Sequence, residues 1–430
     1  MSLVDVLLVG SGGREHAMAW KIAQSPRLGK LYIAPGNGGT QDLGENVPIK
    51  ATDIKNLLLF AVAKNIGLTI VGPDDPLMLG IVDSFQAYGV RIFGPTKAAA
   101  EIEWSKAFAK ELMLENQIPT AKFGTFTNST EALAYVYEHG VPIVIKASGL
   151  ALGKGVYVCQ TIDEAEDAIE ALMVQRAHQG AGKTVVIEDY IEGPEISIHA
   201  FSDSKTVRLF PPAQDHKAAL DGDKGKMTGG MGTITGVPWV TPAMKSYIRR
   251  EILMPVITTM ASKGRPFVGC LYPGLKIPSI GPPRVLEYNA RLGDPETQCY
   301  MRLLQTDLLD VIDACIDGKL AEIDIHWSSG YAACVVMASE GYPDDCQKGR
   351  PIFGIKEANT MPDVVVFHAG TSFLDGKFIT SGGRVLGVSA TDSTLCGAIK
   401  KAYGALGYIY FDGMQYRSDI GTKTLAQLIA

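Results

Sequence analysis

The apolar positions of the first hundred residues fall into one repeated rhythm. Short, nearly all-apolar runs at 4–9, 31–34, 68–71 and 90–93 each end in glycine or proline, in VGSGG, APGNGG, VGPDD and FGPTK. Stretches with helical spacing at 14–24 and 53–64 lie between them. Runs without a polar face, alternating with helices, predict strands buried on both sides in a parallel α/β sheet. Such sheets bind ligands beyond the carboxyl ends of their strands, where all four Gly/Pro loops fall.

Further along, the spacing predicts a long helix from 97 to about 115, a second helix ending near 139 and a strand over 141–147. The glycine-rich SGLALGKG leads from that strand into another apolar stretch, VYVCQT. Thr161 and Glu164 have capping-box spacing for a helix to about 174. With strands at 184–191 and 195–201, residues 120–191 read as a small α+β unit set into the chain. Residues 205–330 mix strands, a glycine-rich loop and helices. From 330 onward, GYAACVVMAS, VVVFHAG and GGRVLGVSA predict strands and 393–405 a helix, a C-terminal α/β piece of ordinary domain size.

Within RVLEYNARLGDPETQ, residues 284–298, the alternation puts Leu286, Tyr288 and Ala290 on one face of a strand and Glu287, Asn289 and Arg291 on the other. Two readings of that polar row are open. It is a solvated outer face, or a place that holds a metal and a polyanion.

Composition narrows the class. The chain has 430 residues, too many for one ordinary core, so two to four domains are expected. A formal net charge of -6 gives no electrostatic footprint for nucleic acid, and local loops must supply the positive potential for any anionic ligand. Seven cysteines without zinc-motif spacing and in odd number read as reduced thiols of a cytoplasmic protein. The apolar start MSLVDVLLVG lacks a basic leader region and reads as a first strand, and no apolar run is long enough to cross a membrane.

Several loops carry candidate chemistry. VGSGGREH matches only the first two glycines of a dinucleotide fingerprint, with Glu15 at the third position and no acid after the second strand. A glycine-rich loop opening a helix still offers free amides to an anion, so a phosphate-bearing substrate is read at Gly12, Gly13 and Arg14, against a purely structural turn. KASGLALGKGV places Lys154 among Gly149, Gly153 and Gly155 between two strands, with Lys146 at the end of the first. That is not a Walker A loop. It is either a lid over a triphosphate or an exposed loop with two solvated lysines. In IEDYIEGPEIS, a connector at Glu188, Asp189, Tyr190 and Ile191 suits an adenine, and Glu195 a ribose; two surface acids are the alternative. QDHK, residues 214–217, groups polar side chains after an apolar strand, and TGGMG, residues 228–232, offers an anion nest. His216 alone reads as structural. Glu287 and Asn289 are hard oxygen ligands of the kind magnesium takes, and Arg291 suits a phosphate or carboxylate clamp.

Taken together, these stretches resemble the ATP-grasp ligases and, more closely, the phosphoribosylamine–glycine ligase family. The likeness spans nearly the whole chain. It is carried by GSGGREHA, APGNGGT, VGPDDPL, FGPT, SKAFAK, KASGLALGKGV, QDHK, TGGMG, EYNARLGDPETQ, HAGT at 368–371 and SGGRVL at 381–386, in that order. The resemblance implies an α/β chain with an N-terminal parallel-sheet (pre-ATP-grasp) domain over 1–102. A central ATP-grasp fold over 103–328 follows, with a small α+β lid subdomain near 120–191, and then a C-terminal α/β domain over 329–430. It implies glycine activated by ATP as glycyl phosphate and then joined to 5-phosphoribosylamine. It also implies ATP and Mg2+ (or Mn2+) as cofactors, no nucleic-acid or membrane partner, and a monomer or weak homodimer.

Carried over residue by residue, Lys106, Lys146, Gly153, Lys154 and Gly155 fall at the phosphates and lid, Glu188–Ile191 and Glu195 at the nucleoside, and Lys217 at its border. Glu287 and Asn289 fall at the metal. Gly12, Gly13, Arg14, Gly36, Asn37, Thr40, Asp215, Arg291, Thr371 and Arg384 line the substrate side, with Arg291, Asp215 and Lys154 expected closest to the chemistry. Three features depart from related patterns. Lys226 and Met227 precede TGGMG where the family usually has Pro-Asn. Ser148 stands where Asp is frequent, and 270–277 lacks the further metal acid of many ATP-grasp enzymes. Three rival readings each call for a different mark. Another purine-pathway ATP-grasp ligase should lack HAGT and SGGR, and a non-catalytic ATP sensor should lack the metal pair or lid lysine. An NAD oxidoreductase should have the third glycine.

Overall fold

In the computed structural model, which describes residues 3–149, 155–175 and 181–429, the chain opens as a five-stranded parallel sheet. Its order is Glu45–Asn46, Leu28–Pro35, Val4–Gly10, Leu68–Val71, Ile92–Phe93. Val6 to Val9 are each 0% exposed, so the central strand is sealed on both faces, as its all-apolar pattern requires. Parallel pairing brings the loops after Gly10, Pro35, Val71 and Phe93 to one edge. The run at 90–93 contributes only the two-residue strand Ile92–Phe93.

The helix expected from 97 to about 115 is two helices, Lys97–Trp104 and Lys106–Glu115. Ser105 leaves helical geometry at φ −117°, ψ 95°, and its Oγ accepts the Phe108 amide at 3.3 Å, which caps the second helix. Apolar spacing continues through the break and does not mark it. The break starts a new helix at Lys106 and docks that start on the loop after the strand Ile143–Ala147. There the Lys106 amide reaches the Ser148 carbonyl at 3.0 Å and the Ala107 amide reaches Ser148 Oγ at 3.0 Å. Ser148 thereby has a job as an acceptor for a helix N-terminus.

The small unit is a four-stranded antiparallel sheet in the order Phe123–Phe126, Val185–Asp189, Ile143–Ala147, Val156–Cys159. Helices Ser129–His139 and Ile162–Ile169 cover it around Val136, Ile145, Ala165 and Ile187. The predicted capping box is present: Thr161 Oγ1 accepts the Glu164 amide at 3.2 Å, and Glu164 Oε2 accepts the Thr161 amide at 3.3 Å.

The largest sheet has eleven strands. From one edge it runs Val207–Leu209, Ala200–Asp203, Val268–Lys276, Glu195–Ser197, Ala213–Asp215, Gly232–Thr235, Tyr331–Ser339, Arg384–Asp392, Val364–His368. Arg284–Asn289 pairs with Val268–Lys276, and Met414–Gln415 with Tyr331–Ser339. The C-terminal α/β piece has its own core around Val335, Val388, Ala398 and Phe411. Its first strand nonetheless pairs antiparallel with Gly232–Thr235, so it extends the central sheet and brings its loops to the site. No helix among the described residues is long and apolar enough to cross a membrane.

Candidate active site

The nucleotide half is built where the helix starting at Lys106, the strand end at Lys146 and the strand Arg284–Asn289 meet. Glu188, 1% exposed, forms ion pairs with both Lys110 and Lys146. Burial alone would push its carboxyl up, but the two ammonium groups outweigh that and hold it below the usual carboxylate range. Lys110 also donates to Thr120 Oγ1 at 2.6 Å, and Lys146 to the Leu286 carbonyl at 3.2 Å. Lys106, whose pKa burial lowers, stands beside Lys146 and faces Glu287 and Glu103. Lysine ammonium groups gathered in one crevice suit a polyphosphate. The connector leaves the small sheet after Asp189, whose amide bonds the Lys122 carbonyl at 2.9 Å. Ile191 is buried and Tyr190 exposed. Gly153 and Lys154 lie outside the described residues; Gly155 accepts the Ala147 amide at 2.8 Å.

Glu287 and Asn289 sit on Arg284–Asn289, but the strand is not the regular row its sequence suggests. Its register with Val268–Lys276 shifts between Gly274–Glu287 and Leu275–Val285, which leaves Leu286 as a bulge. Val285 therefore packs in the core, and Leu286 turns toward the lysines, against the expectation that Leu286, Tyr288 and Ala290 fall on one face. Lys217 lies 3.6 Å from Glu287 Oε1 and 2.6 Å from Glu195 Oε1. Burial favours a neutral Glu287, yet Lys217, Lys106, Lys146 and Arg291 outweigh it and hold the carboxyl at about 2. No cluster of three His, Cys, Asp or Glu suited to a metal exists among the described residues. One ionised carboxylate and the amide of Asn289 are hard donors, too few for a closed cage, and fit an ion that takes its remaining ligands from phosphate and water.

The substrate half is a cavity of about 420 Å³ lined by Gly12, Gly36, Asn37, Asp294, Thr371, Arg384 and neighbouring loop residues. It lies between the N-terminal loops and the C-terminal HAGT and SGGR loops. Asn37 holds them together: its Nδ2 donates to the Ser11 and His368 carbonyls, both at 2.9 Å, and its Oδ1 accepts the Gly39 amide at 2.9 Å. The Gly38 amide reaches the Thr371 carbonyl at 3.1 Å. Gly36 has φ +73°, and a β-carbon there would meet Asn46 Oδ1 at 2.1 Å, so no side chain fits. Arg384 donates to the Gly229 and Asp294 carbonyls at 2.7 Å each, tying TGGMG to the turn after Arg291.

Other expected residues are placed differently. Gly13, Arg14, Thr40, Asp215 and Arg291 are not among the lining residues of that cavity. Arg14 donates to Glu15 Oε1 at 2.6 Å and to the Leu292 carbonyl at 3.0 Å. Thr40 is buried inside its loop, bonded to Asn46 Oδ1 at 2.7 Å. Arg291 lies past the strand end, 3.0 Å from Glu103 and 2.8 Å from the Tyr272 hydroxyl, with its Nε buried and without a hydrogen-bond partner. Asp215 has a buried Oδ1 without a hydrogen-bond partner. Burial first, then Glu296, pushes its carboxyl well up, against Lys217 and Arg384.

Five residues that build this centre escaped the sequence reading: Glu103, Lys110, Tyr272, Asp294 and Glu296. Lys110 had a signal, one helical turn after Lys106. Asp294 and Glu296 lie inside the GDPETQ motif. Glu103 and Tyr272 come from separate elements and had none.

Three family models cover the chain in sequence: the N domain of phosphoribosylglycinamide synthetase over 4–103, its ATP-grasp (A) domain over 104–297 and its C domain over 332–423. The chain belongs to the phosphoribosylglycinamide synthetase family. It is an ATP-grasp ligase, a group that binds ATP with a divalent metal. A phosphoribosylamine–glycine ligase of Ralstonia nicotianae is 50% identical over 424 residues, covering 98% of this chain and 100% of that one. One of Pasteurella multocida is 45% identical, covering 99% of each chain. The crystal structure of the phosphoribosylamine–glycine ligase of Thermotoga maritima is similar to this synthetase at TM-score 0.83 and 33% identity, over 97% of this chain and 100% of that one. The biotin carboxylase domain of Hydrogenobacter thermophilus 2-oxoglutarate carboxylase, solved with MgADP, shares the fold at TM-score 0.75 and 15% identity, over 97% of this chain and 92% of that one.

Proposed function

We propose that this synthetase joins glycine to 5-phosphoribosylamine with cleavage of ATP, giving glycinamide ribonucleotide, ADP and phosphate in purine biosynthesis. One observation carries the reading: a single segment runs from the lysine-rich nucleotide crevice to the substrate cavity. Its Glu287 lies beside Lys217, and its Asp294 walls the cavity. A carboxylate to be phosphorylated and an amine to attack it would thus meet along 287–294.

In the first step a glycine carboxylate oxygen bonds to the γ-phosphorus of ATP and the bond to ADP breaks. In the second, the amine of phosphoribosylamine bonds to the glycyl carbon, phosphate leaves and the nitrogen gives up a proton. Such chemistry needs positioning and charge neutralisation more than covalent help. Lys106 and Lys146, with Lys154 from the lid loop, hold the phosphates; the 188–191 connector and Glu195 hold the nucleoside, with Lys217 at its border. Mg2+ (or Mn2+) bound by Glu287 and Asn289 would supply further neutralisation of phosphate oxygens. Gly12, Gly36, Asn37, Thr371 and Arg384 hold the phosphoribosyl part, while Asp215 and Arg291 face glycine. Arg14, Gly13 and Thr40 support that cavity from behind. Domain limits near 102 and 328, a cytoplasmic setting, and a monomer or weak homodimer without nucleic acid or membrane complete the reading; the acidic composition supports the absence of nucleic acid.

The test is ADP release by purified protein given ATP, magnesium, glycine and freshly generated phosphoribosylamine. Release above background is expected only with both acceptor substrates. Release independent of either one refutes the reading.

A further inference from the structure

The QDHK segment presents its two sides to different parts of the molecule. Lys217 bonds Glu195 at 2.6 Å and lies 3.6 Å from Glu287, and Asp215 sits against Gly230, where a β-carbon would come 2.6 Å from its Oδ1. Gln214 and His216, the alternate residues, are held by the segment 417–424 near the C-terminus. Thr424 Oγ1 donates to Gln214 Oε1 at 2.5 Å. The Gly421 amide donates to His216 Nε2 at 3.1 Å, and His216 Nδ1–H donates to the Gly232 carbonyl at 3.1 Å. Both ring nitrogens of His216 are thus used, one as acceptor and one as donor, which fixes a neutral tautomer. Burial, then the charge of Arg417, keeps the ring neutral, with its pKa lowered to about 4.

The backbone of the same residue holds the glycine-rich loop. The His216 amide reaches the Gly232 carbonyl at 2.9 Å, and the Met231 amide reaches the His216 carbonyl at 2.8 Å. Arg417, 1% exposed at its side chain, closes the arrangement. It donates to the Ala218 carbonyl at 3.1 Å and pairs with Asp419 at 2.7 Å and Asp223 at 2.9 Å. The strand Ala213–Asp215 runs into His216 and Lys217, and a segment pinned at Gln214 and at His216 cannot shift without moving Asp215 and Lys217, their chain neighbours.

We propose that segment 417–424 is a latch that sets the position of Asp215 and Lys217, acting through His216 as a positioning residue. This rests on the functional reading above, which places Asp215 on the glycine side and Lys217 at the nucleotide border. None of residues 417–424 lines the cavity that holds the phosphoribosyl part, so the latch would act first on glycine activation.

The experiment compares His216→Ala, His216→Gln and Thr424→Val with the wild type in the ADP-release assay, varying each substrate. A misplacement of about 1 Å costs up to roughly a hundredfold. His216→Ala is expected to lower kcat by about ten- to a hundredfold and to raise the glycine KM by more than about fivefold. The phosphoribosylamine KM should stay within about twofold, because the Gly36, Asn37 and Thr371 walls are not touched and the backbone bonds from residue 216 to the glycine-rich loop remain. Glutamine at 216 can accept the Gly421 amide and should recover about tenfold of the loss. Thr424→Val removes one hydroxyl at constant shape and should lower kcat about threefold with the same KM pattern. It carries the test if His216→Ala does not fold. Variants with wild-type kcat and glycine KM overturn the latch, as does a kcat loss that tracks the folded fraction with every KM unchanged. Wild-type turnover in the same assay stands for the ligase reading separately, so either result removes the latch alone.

Discussion

Replacing Arg384 by lysine keeps the charge and removes the planar fork. In the structure Nη1 of that fork donates to the Gly229 and Asp294 carbonyls at 2.7 Å each and reaches the Gly230 carbonyl at 3.3 Å, while Nη2 lies 3.4 Å from the Asp294 carboxylate. A lysine ammonium at that depth can keep the ionic contact and one short bond. Two donor contacts are then lost. At about 1.5 kcal/mol each for bonds from a charged donor, the loss is about 3 kcal/mol, or roughly a hundredfold. Because these bonds join TGGMG to the turn that walls the substrate cavity, the loss should fall on kcat/KM for phosphoribosylamine. The KM for ATP should stay within about twofold, since Lys106 and Lys146 stand on other elements. ADP release with phosphoribosylamine varied at saturating ATP and glycine reads both numbers. An Arg384→Lys enzyme within about threefold of wild type refutes the reasoning, and so does an equal rise in the ATP KM.

Other outcomes follow from the same geometry. Glu287→Gln should lower turnover by at least about a hundredfold with an unchanged melting curve, because it removes the carboxylate that Lys217, Lys106 and Lys146 hold ionised; normal turnover at ordinary magnesium would contradict the metal assignment. Acid should destabilise the fold through His16, His216 and His368, held at about 3, about 4 and about 4 mainly by burial. Their folded pKa values lie below the unfolded value of about 6.5, so the unfolded chain binds more protons between those limits. Stability is therefore full above about pH 6.5 and falls as pH drops toward 4, by about 3 kcal/mol for each imidazole; a flat melting temperature from pH 6.5 to 4.5 would contradict this. Lys226→Ala and Met227→Ala should each leave kcat/KM within about threefold, because both residues are exposed and the Lys226–Asp344 pair, 69% and 58% exposed, is worth at most about 1 kcal/mol.

Which parts of this were legible in the sequence follows from how local each signal is. The buried parallel strands were readable because Val6 to Val9 have no polar face. The Thr161 capping box was readable because both partners lie within one turn. Glu287, Asn289 and the lysines were readable as residue types in motif context. The break at Ser105 was not, since both helices share one apolar spacing, and neither was the bulge at Leu286, which only the register with Val268–Lys276 defines. The groups that hold Arg291 were not readable either. Its partners Glu103 and Tyr272 come from elements 188 and 19 residues away (291 − 103 and 291 − 272), and no local pattern carries such contacts. His216 read as structural by itself; its link to Gly421, 205 residues on, is visible only in three dimensions.

The central claim is that glycine is activated as its acyl phosphate, and following one oxygen tests it most directly. With glycine labelled with oxygen-18 in both carboxylate positions, the account predicts that each turnover transfers one labelled oxygen to inorganic phosphate and keeps the other in the amide of the product. Mass spectrometry of the released phosphate reads this. Phosphate without label, alongside normal formation of glycinamide ribonucleotide, would contradict the account.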